Sequence, residues 1–375
     1  MRRREIVRAS AAALASGLWL PGQARAQAQT IKFGQSASLS GGQAAYGKDV
    51  RDGLQAAFKA ANRADARTPR VELLTLDDGG EKERCRANAA KLIDSGVIAL
   101  VGLTSGAGAE ACLPLVEAQR VVLLGTASGN MGIRSDKLSM AYHVRPGYDM
   151  EYSRLVSYVK TFSMQRVGLV HLKDTSPANQ LAMSTALDQA QLKPTVIVPL
   201  DRNQKSFDAE VKALLATKLD CVLFSTNAQP IASIVAGMAA AGYIGFYFAT
   251  SFAGQTLIDD LADKGHSVIM SQVVPRPNAV ATGVVKQYRD DLAALGGGLK
   301  PGFTSLEGYI VGRVAVEAMR ASARGGAVSR SRFRDALAEL NVDLGGYRTH
   351  FTPPSPLGSR FVDVVAIDRN GRIIG

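Results

Sequence analysis

Residues 31–62 read IKFGQSASLSGGQAAYGKDVRDGLQAAFKAAN. The stretch IKFGQSA (31–37) is short and largely apolar, which predicts a strand, and GKDVRDGLQAAFKAAN (47–62) has the apolar spacing of an amphipathic helix. The loop between them, SLSGGQAAYG (38–47), consists mainly of small and polar residues. A strand that leads through such a loop into a helix is typical of an α/β fold built from βαβ units.

The same alternation continues along the chain and predicts parallel sheets with helices on both faces. About 347–349 residues follow an export signal, described below, and this length suggests two lobes. The last segment, RFVDVVAIDRNGRII (360–374), predicts a β-hairpin that turns at Arg369-Asn370-Gly371. The remaining predicted strands are VELLTLDD (71–78), VIALVG (97–102), VVLLG (121–125), RVGLVHL (166–172), TVIVPL (195–200), CVLFST (221–226), FYFAT (246–250) and VIMSQV (268–273).

Residues 42–49, GQAAYGKD, come close to the phosphate-binding loop G-x-x-x-x-G-K-[ST]. In that motif the final hydroxyl binds Mg²⁺, and backbone N–H groups hold the phosphates. Here Asp49 replaces the hydroxyl, and its carboxylate would repel phosphate groups. We therefore predict that this segment binds no nucleotide.

Residues 1–29 have a basic start, a short Ala-rich apolar middle and small residues with A-x-A spacing at 24–26 and 26–28. The apolar run is far shorter than the ~18–20 residues that a membrane span needs. We interpret residues 1–26 as a cleaved export signal, and we expect the rest of the chain in the periplasm without membrane insertion or a lipid anchor. Arg3 and Arg4 leave the twin-arginine route and the general secretory route both open.

The formal net charge of +11 raises the possibility of a nucleic-acid partner. The signal contributes five arginines and one glutamate, so the remainder carries about +7. Lysines and arginines are scattered after residue 26, without basic runs or interleaved aromatic residues. We interpret the positive charge as a general surface property and expect no nucleic acid as partner.

Three cysteines follow the signal, and an exported protein can keep disulfides. Cys85 and Cys112 fall in consecutive helical patterns, which would be neighbours on one face of a parallel sheet. We expect these two residues to form a disulfide, with three free thiols as the alternative. Cys221 begins an apolar strand and is interpreted as a buried small hydrophobic residue.

No enzyme motif emerges from the sequence. The four histidines fit no zinc spacing, and GTASG (125–129) has its serine one place late for a G-x-S-x-G nucleophile turn. Asp77 and Asp78 could serve acid–base chemistry, but they fit better as a turn at the end of a strand that caps the next helix. We predict a protein that is not an enzyme and that uses no cofactor and no metal.

Three small, polar loops follow predicted strands of the first half: SLSGGQAAYG (38–47), LTSGAGAE (103–110) and TASGNMG (126–132). In open α/β sheets, ligands bind at the carboxyl ends of the strands. Glycine lets a ligand approach the backbone, and the N–H groups at helix starts favour anions such as carboxylates. Together the three loops predict a pocket, although each loop alone is an ordinary turn.

Several of these segments together resemble the periplasmic leucine/isoleucine/valine-binding protein family, the type I solute-binding proteins of ABC importers. The segments are SASLSGGQAAYGKDVRDGLQAAFKAAN (36–62), LLTLDDGGEKERCRANAAKLIDSGVIALVG (73–102), the two Ser/Gly loops and HVRPGYDMEYSRLVSYV (143–159). The resemblance covers nearly the whole chain after the signal. It implies two Rossmann-like lobes with parallel sheets, joined by a hinge that the chain crosses three times, and a ligand in the cleft between them.

The Gly/Pro breaks at 145–148, 273–277 and 344–347 are the places where we expect these crossings. The first lobe would then comprise residues 30–146 and 276–345, and the second lobe 147–274 and 346–375. The family also implies that ligand shifts the lobes towards a closed clamp and that the protein acts as a monomer.

The resemblance implies the ligand-binding residues as well. The family's cleft tyrosine corresponds to Tyr46, and Tyr148 lies in the segment at the first crossing. The family's carboxylate-binding loops correspond to Thr104, Ser105 and Gly106, and to Ala127, Ser128 and Gly129 after Thr126. An aromatic position of the family falls on Asn227, another falls on Ser176 or Pro177, and the acidic residue that pairs with the ammonium of an amino acid falls on Thr250 or Ser251.

The missing acidic residue bears on the ligand, because an unpaired buried ammonium is costly. We therefore expect a small carboxylate-bearing molecule that lacks the amine, unless Glu307 or Asp149 supplies the charge; a branched-chain amino acid is the alternative. The resemblance implies delivery to an inner-membrane ABC permease, in amino-acid or organic-acid transport. A clamp that engages a sensor kinase or chemoreceptor is equally compatible with the sequence. A secreted hydrolase is disfavoured, because no nucleophile with a base is evident.

Overall fold

The computed structural model describes residues 30–64, 68–201, 204–353 and 355–374, so the predicted signal peptide lies outside it. The first lobe contains a five-stranded parallel sheet in the order β2-β1-β3-β4-β5. Helices follow the first three strands in turn. In chain order the elements are β1 (Thr30–Ala37), α1 (Ala44–Ala64), β2 (Arg70–Asp77), α2 (Lys82–Asp94), β3 (Ala99–Val101), α3 (Gly106–Gln119), β4 (Val122–Leu124) and β5 (Ala141–Tyr142).

The second lobe repeats the strand–helix alternation. It begins with α4 and continues through five strands that pair in parallel in the order β10-β9-β8-β6-β7. The elements are α4 (Tyr148–Thr161), β6 (Val167–Leu172), α5 (Pro177–Gln189), β7 (Pro194–Leu200), α6 (Asp208–Leu215), β8 (Cys221–Ser225), α7 (Ala228–Ala240), β9 (Phe246–Ala249), α8 (Gly254–Asp263) and β10 (Val268–Gln272).

The chain then returns to the first lobe. There α9 (Gly283–Ala293), α10 (Phe303–Ala323) and α11 (Arg330–Ala338) are followed by a short antiparallel pair, β11 (Asn341–Asp343) and β12 (Arg348–His350). Helices α1 and α10 pack at very close range, because glycines lie at their contact. A Cβ atom on Gly53 would lie 2.0 Å from the Ser305 carbonyl oxygen, and one on Gly308 would lie 2.2 Å from that of Val50.

The last two strands complete the second sheet. Strand β13 (Asp363–Ile367) pairs antiparallel with β10, and β14 (Ile373–Ile374) pairs antiparallel with β13. The turn between them is closed by Asp368, whose carboxylate accepts from the Asn370 and Arg372 N–H groups, and Gly371 has a φ of 74°. The predicted α/β fold, its two lobes with parallel sheets and its C-terminal hairpin are confirmed.

The loop 42–49 does not form a phosphate cradle. A single 3₁₀ turn occupies residues 41–43, and α1 begins at Ala44, three residues before the predicted start of the helix. A Cβ atom on Gly47 would lie 1.9 Å from the Ser38 carbonyl oxygen. This glycine therefore allows α1 to approach the end of β1. The presence of a glycine at this motif position is explained by helix packing and does not require a bound phosphate.

Asp77 and Asp78 hold the loop after β1 in place. Asp78 accepts hydrogen bonds from the Ser36 and Ser38 hydroxyls, and Asp77 accepts from Ser40. The prediction that this pair caps the following helix is wrong, because the residue before α2 is Glu81 and both carboxylates point to the neighbouring strand's loop.

The predicted disulfide is also not present: Cys85, Cys112 and Cys221 are free and buried. Cys85 of α2 packs directly on α3, where a Cβ atom on Gly108 would lie 2.8 Å from its sulfur. A hydrogen bond with the Cys112 thiol, together with burial, raises the pKa of Cys85. The sequence reasoning placed the two helices side by side, as observed, but the thiols meet through a hydrogen bond and not through a covalent bond.

The chain passes between the sheets at 143–147, at 273–282 and between Gly358 and Asp363. The third passage differs from the predicted 344–347. Gly345 and Gly346, with φ of 98° and 93°, form the turn between β11 and β12, and the Asp343 carboxylate accepts from both of their N–H groups. Residues up to 358 stay with the first lobe, because Gly358 donates to the His143 carbonyl oxygen. The segment 346–358 therefore does not belong to the second lobe as predicted.

One buried hydroxyl contacts the first and second passages. The Tyr347 Oη is shared between the carbonyl oxygens of Val144 (3.1 Å) and Val273 (3.3 Å), to which it donates. Burial raises the pKa of Tyr347. The phenol thus ties the first passage to the second.

Among the described residues, none of the helices combines the length and the apolar character needed to cross a membrane.

We predict that Tyr347→Phe lowers the free energy of unfolding by about 1–3 kcal/mol, because it leaves buried carbonyl groups without a donor. Urea denaturation measures the change. Tyr158→Phe, on a half-buried ring of α4, is the matched control and should cost much less. Equal losses in the two variants would contradict the role of the Tyr347 hydroxyl.

Candidate functional site

A cavity of about 430 Å³ lies between the two lobes. Its first wall comes from the loops after β3 and β4 and from the start of α3. Its second wall comes from α4, the loop and helix start after β6, and the end of β8. The lining residues are Lys82, Ser105, Gly106, Ala107, Glu110, Ala111, Ser128, Asn130, Tyr148, Leu172, Asp174, Thr175, Ser176, Pro177, Asn179, Ser225 and Phe252.

The start of α3 forms the first wall. Ser105 caps this helix, because its Oγ accepts from the Gly108 N–H at 3.0 Å. The first N–H groups of a helix have no partner within the helix, and they give this end a partial positive charge. Gly106 must lack a side chain, since a Cβ atom there would lie 2.6 Å from the Ser128 Oγ. Gly106 and Ala107 line the cavity at this partly positive end of the helix.

The loop after β4 packs against this helix start. Asn130 donates to the Gly106 carbonyl oxygen and to the Glu110 carboxylate, both at 2.9 Å. Ser128 and the Tyr148 hydroxyl are 3.2 Å apart. Burial raises the pKa of Tyr148 to about 12, so the phenol keeps its proton at neutral pH. The wall thus presents hydroxyl groups of Ser128 and Tyr148 beside the backbone donors.

Two hydrogen bonds close the cavity by joining the lobes. The Met131 N–H donates to the Asn179 side chain at 2.7 Å, and the Ser176 hydroxyl donates to Glu110 at 3.4 Å. Asn179 is oriented by a second bond, from its Nδ2 to Thr175. These contacts hold the first turn of α5 against the loop of the first lobe.

Aromatic rings close the inner end. Phe252 packs edge-on against Tyr46, at a centroid distance of 5.6 Å, and against Tyr148 at 6.5 Å. Tyr46 belongs to the first lobe and Phe252 to the second, so this contact also spans the cleft. The hydroxyl of Tyr46 donates to the Ala127 carbonyl oxygen at 2.7 Å and is turned away from the cavity.

Of the residues implied by the resemblance, the cavity brings together Ser105, Gly106, Ser128 and Tyr148. The other residues implied by the resemblance lie outside the lining of the cavity, and two of them hold its walls in place. Thr104 accepts from the Ser38 N–H, and Gly129 gives room to the Tyr148 ring, which would lie 2.4 Å from a Cβ atom there. The remaining positions outside the lining are Tyr46, Ala127, Asn227, Thr250 and Ser251.

The second-lobe positions have other partners in the structure. Ser251 accepts from Arg145, and its N–H donates to Glu151. Asn227 accepts from the Thr226 hydroxyl, and Thr250 is buried beyond the cavity. The segment FATSFAG nevertheless contributes Phe252 to the lining, so it reaches the cavity with an aromatic ring.

Several lining residues were not predicted from the sequence. Glu110 and Asn130 lie in the two Ser/Gly loop segments, but neither was singled out there. Asn179 lies further along the helix that begins at Pro177. Ser176 and Pro177, which stand at an aromatic position of the family, were named in the sequence analysis and do line the cavity. Positions 250 and 251 carry no acidic residue, but Glu110 and Asp174 line the cavity.

A buried cluster of charges lies beneath this site. Arg145 contacts Glu151 through a short ion pair, Glu307 at 3.2 Å and the Ser251 hydroxyl at 2.7 Å. Burial lowers the pKa of Arg145, but the carboxylates of Glu307 and Glu151 outweigh burial and raise it. Burial raises the pKa of Glu307, and its contact with Arg145 offsets part of this shift. Glu307 is thus engaged with Arg145 and does not supply the charge that the sequence analysis considered for the ligand.

Neither a metal nor catalysis is suggested by the side chains around the cavity. Within the described ranges, no group of three or more His, Cys, Asp or Glu side chains is arranged to hold a metal ion. In the described residues, the Ser105 hydroxyl bonds to the Gly108 N–H, and the Ser128 hydroxyl contacts Tyr148 and the Asn130 N–H. The arrangement can bind and orient a small polar molecule.

The comparisons with known proteins agree with this geometry. A family model described as a periplasmic binding protein matches residues 30–371. No protein among the curated sequences matches the chain. A possible leucine/isoleucine/valine-binding protein from Rhodopirellula baltica is 26% identical, with a TM-score of 0.86, and the match covers 93% of this chain and 97% of that one.

Two further solved structures share the fold. A fatty acid ABC transporter substrate-binding protein from Thermomonospora curvata is 17% identical, with a TM-score of 0.81 over 92% of this chain and 91% of that one. The branched-chain amino acid transporter substrate-binding protein LivJ from Streptococcus pneumoniae, solved with isoleucine, is 16% identical, with a TM-score of 0.79 over 92% and 98%.

We predict that Asn179→Ala weakens the closed arrangement, because it removes the bond from the Met131 N–H. One hydrogen bond contributes about 0.5–1.5 kcal/mol net to stability. Its loss should therefore lower the ratio of closed to open molecules by roughly twofold to tenfold. Small-angle scattering should show a larger radius of gyration than for the parent protein. Gln189→Ala, on the exposed end of the same helix, should leave the scattering unchanged. Identical curves for Asn179→Ala and the parent would count against this contact.

A pH dependence follows from Asp49. Burial raises its pKa from 3.8 to about 7, with smaller contributions from Asp52 and from Asp259 of the second lobe. Between these pKa values the native state binds more protons than the unfolded state, so the stability falls as pH rises from about 4 to 7. Asp49→Asn should flatten this decline in urea denaturation, whereas Asp290→Asn on exposed α9 should not. A decline that persists in Asp49→Asn would refute the assignment.

Proposed function

The chain belongs to the periplasmic binding protein family, and from this premise we propose that it is the substrate-binding protein of an ABC importer. The ligand is a small carboxylate-bearing organic molecule that is held in the cavity between the lobes. The observation that carries the proposal is the cavity itself, which both lobes line with polar groups. In this role the protein acts as a monomer in the periplasm, without its signal peptide and without enzymatic activity.

The carboxylate has a suitable place at the start of α3. Gly106, Ala107, Ser105 and Ser128 line the cavity at this end of the helix. Anions bind at helix N-termini because unpaired N–H groups and the helix dipole favour negative charge. The first turn of α3 contains no acidic residue that would compete for this position.

The second lobe would complete the binding of the ligand. Tyr148, Thr175 and Ser225 line the cavity from that side, and a molecule that touches both walls favours the closed clamp. A ligand shifts a conformational equilibrium only through its different affinity for the two states. A ligand that contacts both walls binds the closed state more tightly than the open state. This supports the proposal that the protein acts as a clamp for transport.

An amine on the ligand would have two acidic neighbours, Glu110 and Asp174. Glu110, however, already accepts from Asn130 and from Ser176 across the cleft, and Asp174 is exposed to solvent. Pairing with an ammonium would therefore disturb a contact between the lobes or gain little from a screened charge. We propose on this basis that the ligand lacks the amine. A branched-chain amino acid, as in the LivJ structure, is the second candidate, favoured by the presence of Glu110.

Two measurements test the proposed transport role. Thermal unfolding with a panel of aliphatic acids, aromatic acids and amino acids identifies the ligand, since a ligand at 100 times its Kd adds about 2.7 kcal/mol. Uptake of that radiolabelled compound by cells with and without this protein then tests import. Loss of uptake supports an importer. Intact uptake combined with a lost chemotactic or kinase response would replace the permease by a sensor as partner.

We predict that 4-methylpentanoate binds about tenfold or more tightly than leucine, because charge-assisted hydrogen bonds are worth about 1.5–3 kcal/mol and the ammonium lacks a dedicated partner. Calorimetry with both compounds measures this ratio. Glu110→Gln should weaken binding of the acid only slightly, by no more than about the net free energy of one neutral hydrogen bond. Glu339→Gln, the same change on an exposed residue of the first lobe, is the control. Sub-micromolar leucine binding that Glu110→Gln abolishes, without any binding of the acid, would establish the amino-acid alternative.

A further inference from the structure

A second cavity, of about 280 Å³, lies within the second lobe. We call it the side cavity. It is enclosed by the ends of β6 and β7 and by one face of α5. Three residues line both this cavity and the cleft cavity: Thr175, Asn179 and Ser225. The two spaces therefore adjoin at the end of β6 and the start of α5.

The side cavity differs from the cleft in its chemistry. Its walls are formed largely by apolar side chains that the sheet and α5 turn towards each other: Leu169, Met183, Leu187, Leu192, Pro194 and Ile197. Charged groups, Asp188 and Lys193, belong to the same lining, and both are exposed to solvent. Because these lining residues are exposed, the apolar side chains border a space that is open to solvent.

Ile197 shows that the apolar wall is incompletely covered. This large side chain is 54% exposed although it projects into the side cavity from β7. Leu169, its neighbour in register on β6, and Met183 of α5 are buried at 7% and 5% exposure. The strand therefore presents an apolar surface to the cavity that no side chain of the described chain covers fully.

The boundary between the two cavities is polar. The Tyr152 hydroxyl and the Ser225 Oγ are 2.5 Å apart there, and Asn179 is bonded to Thr175 and to the Met131 N–H of the first lobe. Closing the clamp thus fixes the residues at the boundary. The residues at the boundary line both spaces, so the side cavity is the apolar space next to the cleft on the side of the second lobe.

We infer that the side cavity holds the apolar tail of the ligand whose carboxylate occupies the cleft. This inference rests on the proposed function and specifies the substrate class as an amphipathic carboxylate with an alkyl chain. The division of polar and apolar surface matches such a molecule, with donors at one end and aliphatic walls at the other. A hydrophilic ligand would leave the apolar walls in contact with water.

Calorimetry with butanoate, hexanoate, octanoate and decanoate tests the inference on the mature protein. Each buried methylene contributes about 0.8 kcal/mol, which corresponds to about fourfold in affinity. The affinity should rise with chain length and then level off when the cavity is full. Ile197→Asp places a carboxylate beside the tail and should weaken octanoate binding at least tenfold while leaving butanoate unchanged.

Leu181→Asp is the matched control. Leu181 is 68% exposed on α5 and lies outside the side cavity, so this variant should bind the whole series as the parent does. Ser184→Trp, an exposed position that lines the cavity, fills its space with a ring and provides a second test if Ile197→Asp unfolds. It should shorten the chain length at which affinity levels off.

The outcomes separate this inference from the proposed function. Binding of butanoate with an affinity that does not change up to decanoate overturns the side cavity as a tail site and leaves the carboxylate proposal standing. Equal loss of octanoate binding in Ile197→Asp and Leu181→Asp also overturns it. Failure of all four acids to bind, with binding of another carboxylate from the thermal-unfolding panel, overturns the tail site alone, and failure of every carboxylate in that panel overturns both proposals.

Discussion

The guanidinium of Arg145 is the group on which the arrangement of the two lobes depends. It is only 2% exposed, and a buried charge is tolerated only when it is paired and hydrogen-bonded. Its partners come from both sides of the cleft: Glu307 from α10 of the first lobe, and Glu151 and Ser251 from the second. Since Arg145 itself lies in the first passage between the lobes, its charge is satisfied only when the three segments meet.

This cluster also determines the floor of the site. Arg145 lies 6.0 Å from the centroid of the Tyr148 ring, and Tyr148 carries the hydroxyl that contacts Ser128. Arg134 donates to the Arg145 and Ser128 carbonyl oxygens, and burial lowers the pKa of Arg134 to about 9. The loop that binds the ligand in our proposal is therefore anchored to the same buried charges that join the lobes.

The sequence predicted the fold well because each strand and helix has its own local pattern. The apolar runs, the loop glycines and the Asn370-Gly371 turn are consequences of short-range chemistry, and the structure has them where the pattern indicated. The third passage was predicted at the wrong position, 344–347, because this prediction also relied on a local pattern alone. Gly345-Gly346 signals a turn, and the local pattern does not distinguish a hairpin turn from a hinge. Only the pairing of Gly358 with His143 shows which one it is.

Less of the site than of the fold could be predicted from the sequence. Ser105, Gly106 and Ser128 were found because they follow strands, and loops at strand ends meet at one sheet edge. Glu110 lies one helical turn after Gly106, where a glutamate is ordinarily a solvated surface residue. Its position in the cavity depends on Asn130 and on Ser176 from the other lobe. The side cavity depends on the spacing between α5 and β7, which no run of residues encodes by itself.

Few direct contacts between side chains cross the cleft at the ligand cavity, and this determines the balance between the open and the closed clamp. The hydrogen bonds to Asn179 and Glu110 each contribute about 0.5–1.5 kcal/mol at most, and the Tyr46–Phe252 ring contact adds about as much. The Thr304 hydroxyl, which accepts from the Gln255 N–H, is a further contact between the lobes. To change a population from 1:99 to 99:1 takes about 5.5 kcal/mol of differential binding. The direct contacts are of the same order as this requirement, so a ligand with one polar end on the first wall and its remainder on the second can decide which state prevails.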